Sequence, residues 1–419
     1  MTRLIVEGGN SLNGTVRIAG AKNSVVVLIA AAMMFKDKVI LENVPRISDV
    51  LILLDIVKQL GARVEWLEDE EDSLLIEAPD SISSTARYEQ VRSMRASNLL
   101  LGSLLARRHH AEVSLPGGCD LGSRPMDLHI KGLSELGANI EIKEGYIRAT
   151  ADKLVGNLIY LDFPSVGATE NIMMAAAVAQ GQTVIENVAK EPEIVDLANF
   201  LNGGGARIRG AGTDLIRIEG VPELRGTRHS VIPDRIEAGT FMAMAAMTGG
   251  QLKLENVIAA HLKPVIAKMR EAGVIIRPSG NNIYVKSPER VRAVDIKTLT
   301  YPGFPTDMQP LMMAMLCLAE GTSVIVENLF ESRMKAAPEL LRMGADIRIE
   351  GQTAIVCGVD RLTGASVRAR DLRAGAALIT AALAAHGESE ISGVDVIDRG
   401  YLGIEEKVRG IGGQIRRVD

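Results

Sequence analysis

Charged and polar side chains recur in this chain at one kind of place, the entrance to an almost wholly apolar stretch. The sets are Lys22-Asn23-Ser24, Arg95-Ala96-Ser97, Ser165-Val166-Gly167-Ala168-Thr169, Asp234-Arg235, Thr306-Asp307 and Asp371-Leu372-Arg373. If each stretch is a helix, these are helix N-termini, whose free N–H groups and partial positive charge favour phosphate and carboxylate. Ordinary capping is the simpler use of the same residue types, and Asn23, Ser165 and Asp307 all fit it. A second feature is the segment 115–130, Leu-Pro-Gly-Gly-Cys-Asp-Leu-Gly-Ser-Arg-Pro-Met-Asp-Leu-His-Ile. Its glycines at 117, 118 and 122 mark a loop with Cys119 near the tip, and Pro125 and Asp127 mark the first turn of a following helix. Arg124 and that helix end favour a thiolate at Cys119, while Asp120 opposes one. Cys317 and Cys357 lie in apolar runs and read as inert.

The elements that would position these groups repeat. A glycine followed by a small residue recurs at Gly61, Gly137, Gly205, Gly273, Gly344 and Gly412, at intervals of 68 to 76 residues. Each reads as the glycine ending an amphipathic helix, and an alternating strand follows. Upstream of four of them a strand ends in Glu-Asn, at Asn43, Asn187, Asn256 and Asn328. Further upstream lies a helix apolar on nearly every side, at 25–34, 99–106, 172–179, 241–247, 311–319 and 374–385. Such helices must be buried in a core. The expected unit is therefore βαβαββ, six times over, in two domains of three units with central buried helices. The boundaries fall near Gly20-Ala21 and Ile232-Pro233: one domain at 21–231, the other at 1–20 plus 232–419. An opening strand over 4–18 would join the second. If the two domains face each other across the six helix starts, the cleft between them would trap anions.

Composition narrows the class. At 419 residues, with 47% hydrophobic and 24% charged side chains, the chain has the make-up of a soluble globular protein of two to three domains. A net charge of −5 and only 3% aromatic residues give no general pull on nucleic acid and few faces for base stacking. Any anionic ligand must be held by local Lys and Arg. The longest apolar run, 25–35, is 11 residues, short of the roughly 20 needed to cross a bilayer. The N-terminus reads as a strand rather than a signal peptide, three scattered cysteines make no disulfide framework, and six scattered histidines show no metal-ligand spacing. No membrane insertion, metal or cofactor is expected, and the cytoplasm is the expected compartment. The Gly-rich stretch 203–212 leaves a helix for a strand, the reverse of a nucleotide-binding turn.

Over essentially its whole length the sequence resembles the enolpyruvyl transferase family. The resemblance rests on Gly20-Ala21-Lys22-Asn23-Ser24, Met94-Arg95-Ala96-Ser97, Pro116-Gly117-Gly118-Cys119 with Arg124-Pro125, the run 162–169, Lys190-Glu191-Pro192-Glu193, Pro233-Asp234-Arg235, Phe304-Pro305-Thr306-Asp307 and Asp398-Arg399-Gly400. It implies a fold of two inverse α/β barrels, three units each. It also implies transfer of the enolpyruvyl group of phosphoenolpyruvate to the 3′-hydroxyl of UDP-N-acetylglucosamine, with release of phosphate, at the entry to peptidoglycan synthesis. By resemblance Lys22, Arg124 and Arg399 hold phosphoenolpyruvate and Asn23 touches the tetrahedral intermediate. Asp307 is the base on the hydroxyl, and Cys119 is the proton donor and site of a covalent adduct. Arg95, Arg124, Pro125, Met126, Asp127, Leu128, Ser165, Val166, Gly167, Asp307 and Leu329 line the UDP-sugar site, with Arg333, Asp371 and Arg373 as further charged groups. The chain departs from many relatives at Ser24-Val25-Val26-Val27, at Phe330-Glu331-Ser332-Arg333-Met334, and at Phe163, where some relatives carry a lysine. The rival readings are the shikimate-pathway transferase of the same fold, against which Pro116–Cys119 and the Ser165 segment argue, and a catalytically inactive UDP-sugar-binding paralogue.

Overall fold

The computed structural model describes residues 2–86, 98–115 and 126–419. The chain forms two compact units, one of residues 2–19 with Pro233–Asp419 and one of the described residues of 20–232.

Within a unit the same local grammar repeats. Leu158–Tyr160 is followed by the helix Val166–Ala176, the strand Gln182–Glu186, the helix Pro192–Gly203, and the strands Arg207–Arg209 and Leu215–Glu219. The first strand pairs parallel with the second, which pairs antiparallel with the last, which in turn carries the third on its far side. The parallel step needs a crossover helix and the antiparallel steps do not, and in four of the six repeats a helix joins the parallel pair directly. In the other two the parallel partners are exchanged, Arg228–Ser230 lying beside Val39–Glu42 and Asn13–Arg17 beside Gln251–Glu255. All six marker glycines adopt left-handed φ, from +90° to +105°, where L side chains are strained. The Glu-Asn strand ends have a structural reason too. Asn43, Asn187 and Asn256 take φ near +55°, and each donates its Nδ2 to a carbonyl just past the parallel partner strand: Val231 at 2.8 Å, Leu161 at 2.7 Å and Ile18 at 2.8 Å.

The apolar helices lie at the centre. In the unit of 233–419, the helices Arg235–Met247, Gln309–Leu316 and Leu372–Ala384 pack on one another, and every residue of the first two is buried. In the unit of 20–232, Leu100–Arg108 packs against both Lys22–Ala32 and Val166–Ala176. Gly102 makes that approach possible, since a Cβ there would lie 2.5 Å from the Asn171 carbonyl oxygen.

Two expectations are corrected. The inverse barrels do not form: among the described residues the chain has six open four-stranded sheets, none closed on itself. Four strands are too few to close round a packed interior. Each sheet already buries one face, as in Gln251–Glu255, where Leu252 and Leu254 point inward and Gln251 outward. The central helices supply the cover that closure would otherwise provide. The opening strand is also two strands rather than one. Arg3–Glu7 lies between Glu388–Ser392 and Gln414–Val418, antiparallel to both, whereas Asn13–Arg17 pairs parallel with Gln251–Glu255 in another sheet. The break falls at Gly8, where a Cβ would sit 2.2 Å from the Ala385 carbonyl oxygen, and at Gly9, with φ +93°.

Candidate functional site

In the unit of 20–232, Lys22 opens the helix Lys22–Ala32. A cation at that end opposes the helix dipole, and Asp49, buried in the first turn of Ser48–Gln59, offsets it with a 2.7 Å ion pair to Nζ. Asn23 is exposed and does not cap; the capping position is Ala21, whose side chain offers nothing. Ser24 is turned inward and donates to Asp196, whose other oxygen takes His229 Nε2 at 2.8 Å. The helix start is thus pinned from beneath, with Asn23 facing solvent.

Ser165 is a cap, accepting from Ala168 N at 3.4 Å, and Val166 and Gly167 are half-buried beside it. Phe163 is half exposed, and its carbonyl accepts from Ser165 N at 2.7 Å. Met126 is buried, Asp127 is exposed at the start of the helix Asp127–Glu135, and Leu128 is half-buried. Arg95, Cys119, Arg124 and Pro125 lie outside the described residues.

His129, which sequence reasoning passed over, belongs to this corner. Asn171 Oδ1 accepts from Gly102 N at 2.7 Å, which fixes the amide so that Nδ2 donates to Asn98 O and, at 2.8 Å, to His129 Nδ1. The imidazole proton therefore sits on Nε2, the nitrogen that a Cβ on Gly167 would approach to 3.4 Å. Burial pulls the His129 pKa down from 6.5 to about 4, so the ring is neutral at neutral pH. Because the folded value is depressed, the unfolded chain binds the extra proton between those two values, and stability is complete above about 6.5 and falls as the pH drops toward 4. The shift corresponds to about 3 kcal/mol. Urea unfolding at pH 7 and pH 4.5 is expected to show this loss in the wild type and a smaller one in His129→Gln. An equal pH dependence in both would remove His129 as its source.

In the unit of 233–419, Asp307 lies in the single turn Thr306–Met308 ahead of Gln309–Leu316 and does not cap it. The other two central helices do carry acidic caps: Asp234, at the start of Arg235–Met247, accepts from the N–H groups of Ile236 and Glu237 at 2.7 and 3.0 Å, and Asp371, at the start of Leu372–Ala384, accepts from those of Arg373 and Ala374, both at 2.9 Å. One oxygen of Asp307 pairs with Arg333, and the other takes Arg373 Nε and Nη2 at 3.1 and 2.9 Å. Arg333 and Arg373 are themselves 2% and 4% exposed. Burial alone would raise the Asp307 pKa, but the charges of Arg373, Arg333 and Arg235 outweigh it and hold the carboxyl far below the usual range. Tyr401 closes the cluster, its hydroxyl bonded to Thr240 Oγ1 at 2.8 Å and accepting from Arg373 at 3.4 Å. Leu329 and Arg399 are half-buried, Arg399 just past the short helix Val394–Asp398.

The described residues hold no group of three or more His, Cys, Asp and Glu placed for a metal ion, and no helix among them is long and apolar enough to cross a membrane. What the two units present is chemistry for anions and hydroxyls: a lysine fixed at a helix start, helix N–H groups at 166–167, and a carboxylate held ionised by arginines.

Comparison with known proteins agrees in kind. Residues 6–408 match the family model of EPSP synthase (3-phosphoshikimate 1-carboxyvinyltransferase). The chain is 56% identical over 416 residues to UDP-N-acetylglucosamine 1-carboxyvinyltransferase 1 of Caldanaerobacter subterraneus subsp. tengcongensis, covering 99% of each chain. It is 54% identical over 420 residues to UDP-N-acetylglucosamine 1-carboxyvinyltransferase 2 of Carboxydothermus hydrogenoformans, covering all of both chains. Among solved structures, an enolpyruvyl transferase from Streptomyces tendae superposes with TM-score 0.90 at 26% identity, over 100% of this chain and 99% of that one. EPSP synthase from Acinetobacter baumannii, at TM-score 0.77 and 20% identity over the full length of both chains, shares the fold.

Proposed function

The chain belongs to the EPSP synthase family of carboxyvinyl transferases, and on that premise we infer that it transfers the enolpyruvyl group of phosphoenolpyruvate to the 3′-hydroxyl of UDP-N-acetylglucosamine, releasing phosphate. The observation that carries this reading is identity of 50% to 56% with UDP-N-acetylglucosamine 1-carboxyvinyltransferases over essentially the entire chain. The product commits the nucleotide sugar to peptidoglycan. We place the reaction in the cytoplasm, where both substrates, as soluble anions, are found.

The reaction adds the sugar oxygen to C2 of phosphoenolpyruvate while a proton goes to C3, giving a phosphate ketal with a methyl group. Loss of phosphate together with one methyl proton restores the carbon–carbon double bond. The roles are assigned as follows. Asp307 takes the hydroxyl proton and Cys119 delivers the proton to C3. Lys22, Arg124 and Arg399 hold the phosphate and carboxylate and stabilise charge on the ketal, with Asn23 beside it. Ser165, Val166, Gly167, Arg95, Met126, Asp127, Leu128 and Leu329 bind the nucleotide sugar. Asp371 holds Arg373 through its backbone N–H, and Arg373 with Arg333 keeps Asp307 ionised until substrate arrives.

Phosphate release is to be assayed with phosphoenolpyruvate and each acceptor in turn. Turnover is expected with UDP-N-acetylglucosamine and none with shikimate 3-phosphate. The opposite pattern would transfer the chain to the shikimate branch, and UDP-sugar binding without turnover to either acceptor would mark an inactive binding protein.

A further inference from the structure

The four Glu-Asn strand ends are not equivalent. In three repeats the glutamate ends the strand ladder: the carbonyls of Glu42, Glu186 and Glu255 accept from Val231, Leu161 and Ile18 N–H, and the asparagine that follows reaches back to the carbonyl of that same residue. Those three glutamates are half-buried surface groups, and Glu42 and Glu255 pair with Arg228 and Lys253. In the fourth repeat the carbonyl that closes the ladder belongs to Val326, which accepts from Thr298 N–H at 3.0 Å, and it is Asn328 that reaches back to Thr298 O at 2.9 Å. One extra residue, Glu327, stands between them. Strand side chains alternate between faces, so an offset of one turns the glutamate from the solvent side to the core side. Glu327 is fully buried.

A carboxylate is buried at considerable cost unless its oxygens are hydrogen-bonded, and those of Glu327 are. Oε2 accepts from Thr306 Oγ1 at 2.9 Å, and Oε1 accepts from the backbone N–H groups of Leu329 and Phe330 at 2.9 and 3.1 Å. Thr306 precedes Asp307, and its carbonyl accepts from Arg333 Nε at 3.1 Å. One buried side chain therefore ties the turn that carries Asp307 to the turn that carries Leu329. We propose that Glu327 is a positioning residue of the transfer reaction, fixing the Asp307 turn through Thr306 and the 329–330 backbone directly, so that the carboxylate meets the acceptor hydroxyl in reacting geometry. The proposal rests on the role assigned above to Asp307. It requires only shape, with Glu327 touching neither substrate.

The test uses the full-length enzyme with phosphoenolpyruvate and UDP-N-acetylglucosamine. Glu327→Ala removes all three hydrogen bonds and is expected to lower kcat about a hundredfold, the scale for a misplaced reacting group. Glu327→Gln can keep the two backbone bonds and forces the Thr306 hydroxyl to change partner roles; about a tenfold fall is expected. Thr306→Val should fall as Glu327→Gln does, with Thr306→Ser close to wild type. KM for phosphoenolpyruvate should stay within about twofold, because the Lys22 side of the reaction is untouched. The decisive arm is the cycle with Asp307→Asn, in which Glu327→Gln should cost nothing further. A merely structural glutamate would lower Tm in Glu327→Gln and multiply its loss with that of Asp307→Asn, and either that full multiplication or an unimpaired kcat in Glu327→Ala overturns the proposal. Lack of turnover by the wild type would instead overturn the functional reading, so the two failures are distinct.

Discussion

Asp307→Asn is expected to lower kcat by about two orders of magnitude or more, the scale for removing a positioned base. The carboxylate is ionised at rest because Arg373, Arg333 and Arg235 hold it so, and a base held that strongly is a poor proton acceptor in the free enzyme. Two of its guanidinium partners come from separate elements, Arg333 just before Ala337–Arg342 and Arg373 in Leu372–Ala384. Substrate anions that draw those arginines away would return basicity to Asp307 when the hydroxyl is in place. Asparagine keeps the size and loses the charge, leaving two buried arginines short of an acceptor, so a fall in stability is expected beside the fall in rate. Normal turnover at saturating substrates would take Asp307 out of the mechanism, whatever the melting temperature does.

Cys119 carries the other large effect. A proton donor needs reach and a suitable pKa, not sulfur, so Cys119→Asp should keep measurable transfer activity and Cys119→Ala should lose it almost entirely. A role as nucleophile makes the contrary demand, since a carboxylate of poor nucleophilicity could not stand in for a thiolate. Fosfomycin, an epoxide bearing an anionic phosphorus group, needs the sulfur in either case. Cys119→Asp is therefore expected to resist it, and wild-type protein to show the adduct at this residue by mass spectrometry. An active Cys119→Ala with an inactive Cys119→Asp would reject the proton-donor role, and an adduct on Cys317 or Cys357 would place the reactive thiol elsewhere. Burial pushes the Cys317 thiol up to about 12, which argues against that residue.

Much of the architecture is written in local signals. The six marker glycines could be found because a left-handed residue after a helix admits little else, and all six are left-handed. The central helices could be found because a helix apolar on every side has only a core to occupy. Barrel closure had no such signal: it depends on which strand edges pair, and alternation within a strand is silent about its neighbours. Gly8 and Gly9 look like any pair of glycines until the Ala385 carbonyl is beside them.

The site divides along the same line. Lys22, Asp307 and Arg373 stood out as charges at the entrances to apolar segments, whereas Arg333 came only from the family resemblance. The Tyr401–Thr240 bond that closes the arginine cluster joins residues 161 apart, and no spacing in the sequence announces it. Capping misled in a specific way: of the three side chains that fit it, Ser165 caps and Asn23 and Asp307 do not, while Asp234 and Asp371 also cap. His129 reads as one more histidine on a helix, and its meaning comes from Asn171. Glu327 is the subtlest case, because its Glu-Asn pair matches the others letter for letter and only the hydrogen-bond register reveals the offset.

The most direct measurement is proton NMR of the product formed from phosphoenolpyruvate and UDP-N-acetylglucosamine in deuterated water. Addition of a proton to C3, followed by loss of a methyl proton, requires solvent hydrogen to enter the vinyl group. The spectrum should show an enolpyruvyl ether at the 3′-oxygen of the sugar, with deuterium in its CH₂. A 3′-ether with no deuterium would contradict the addition–elimination course, and no ether on the nucleotide sugar would contradict the transfer itself.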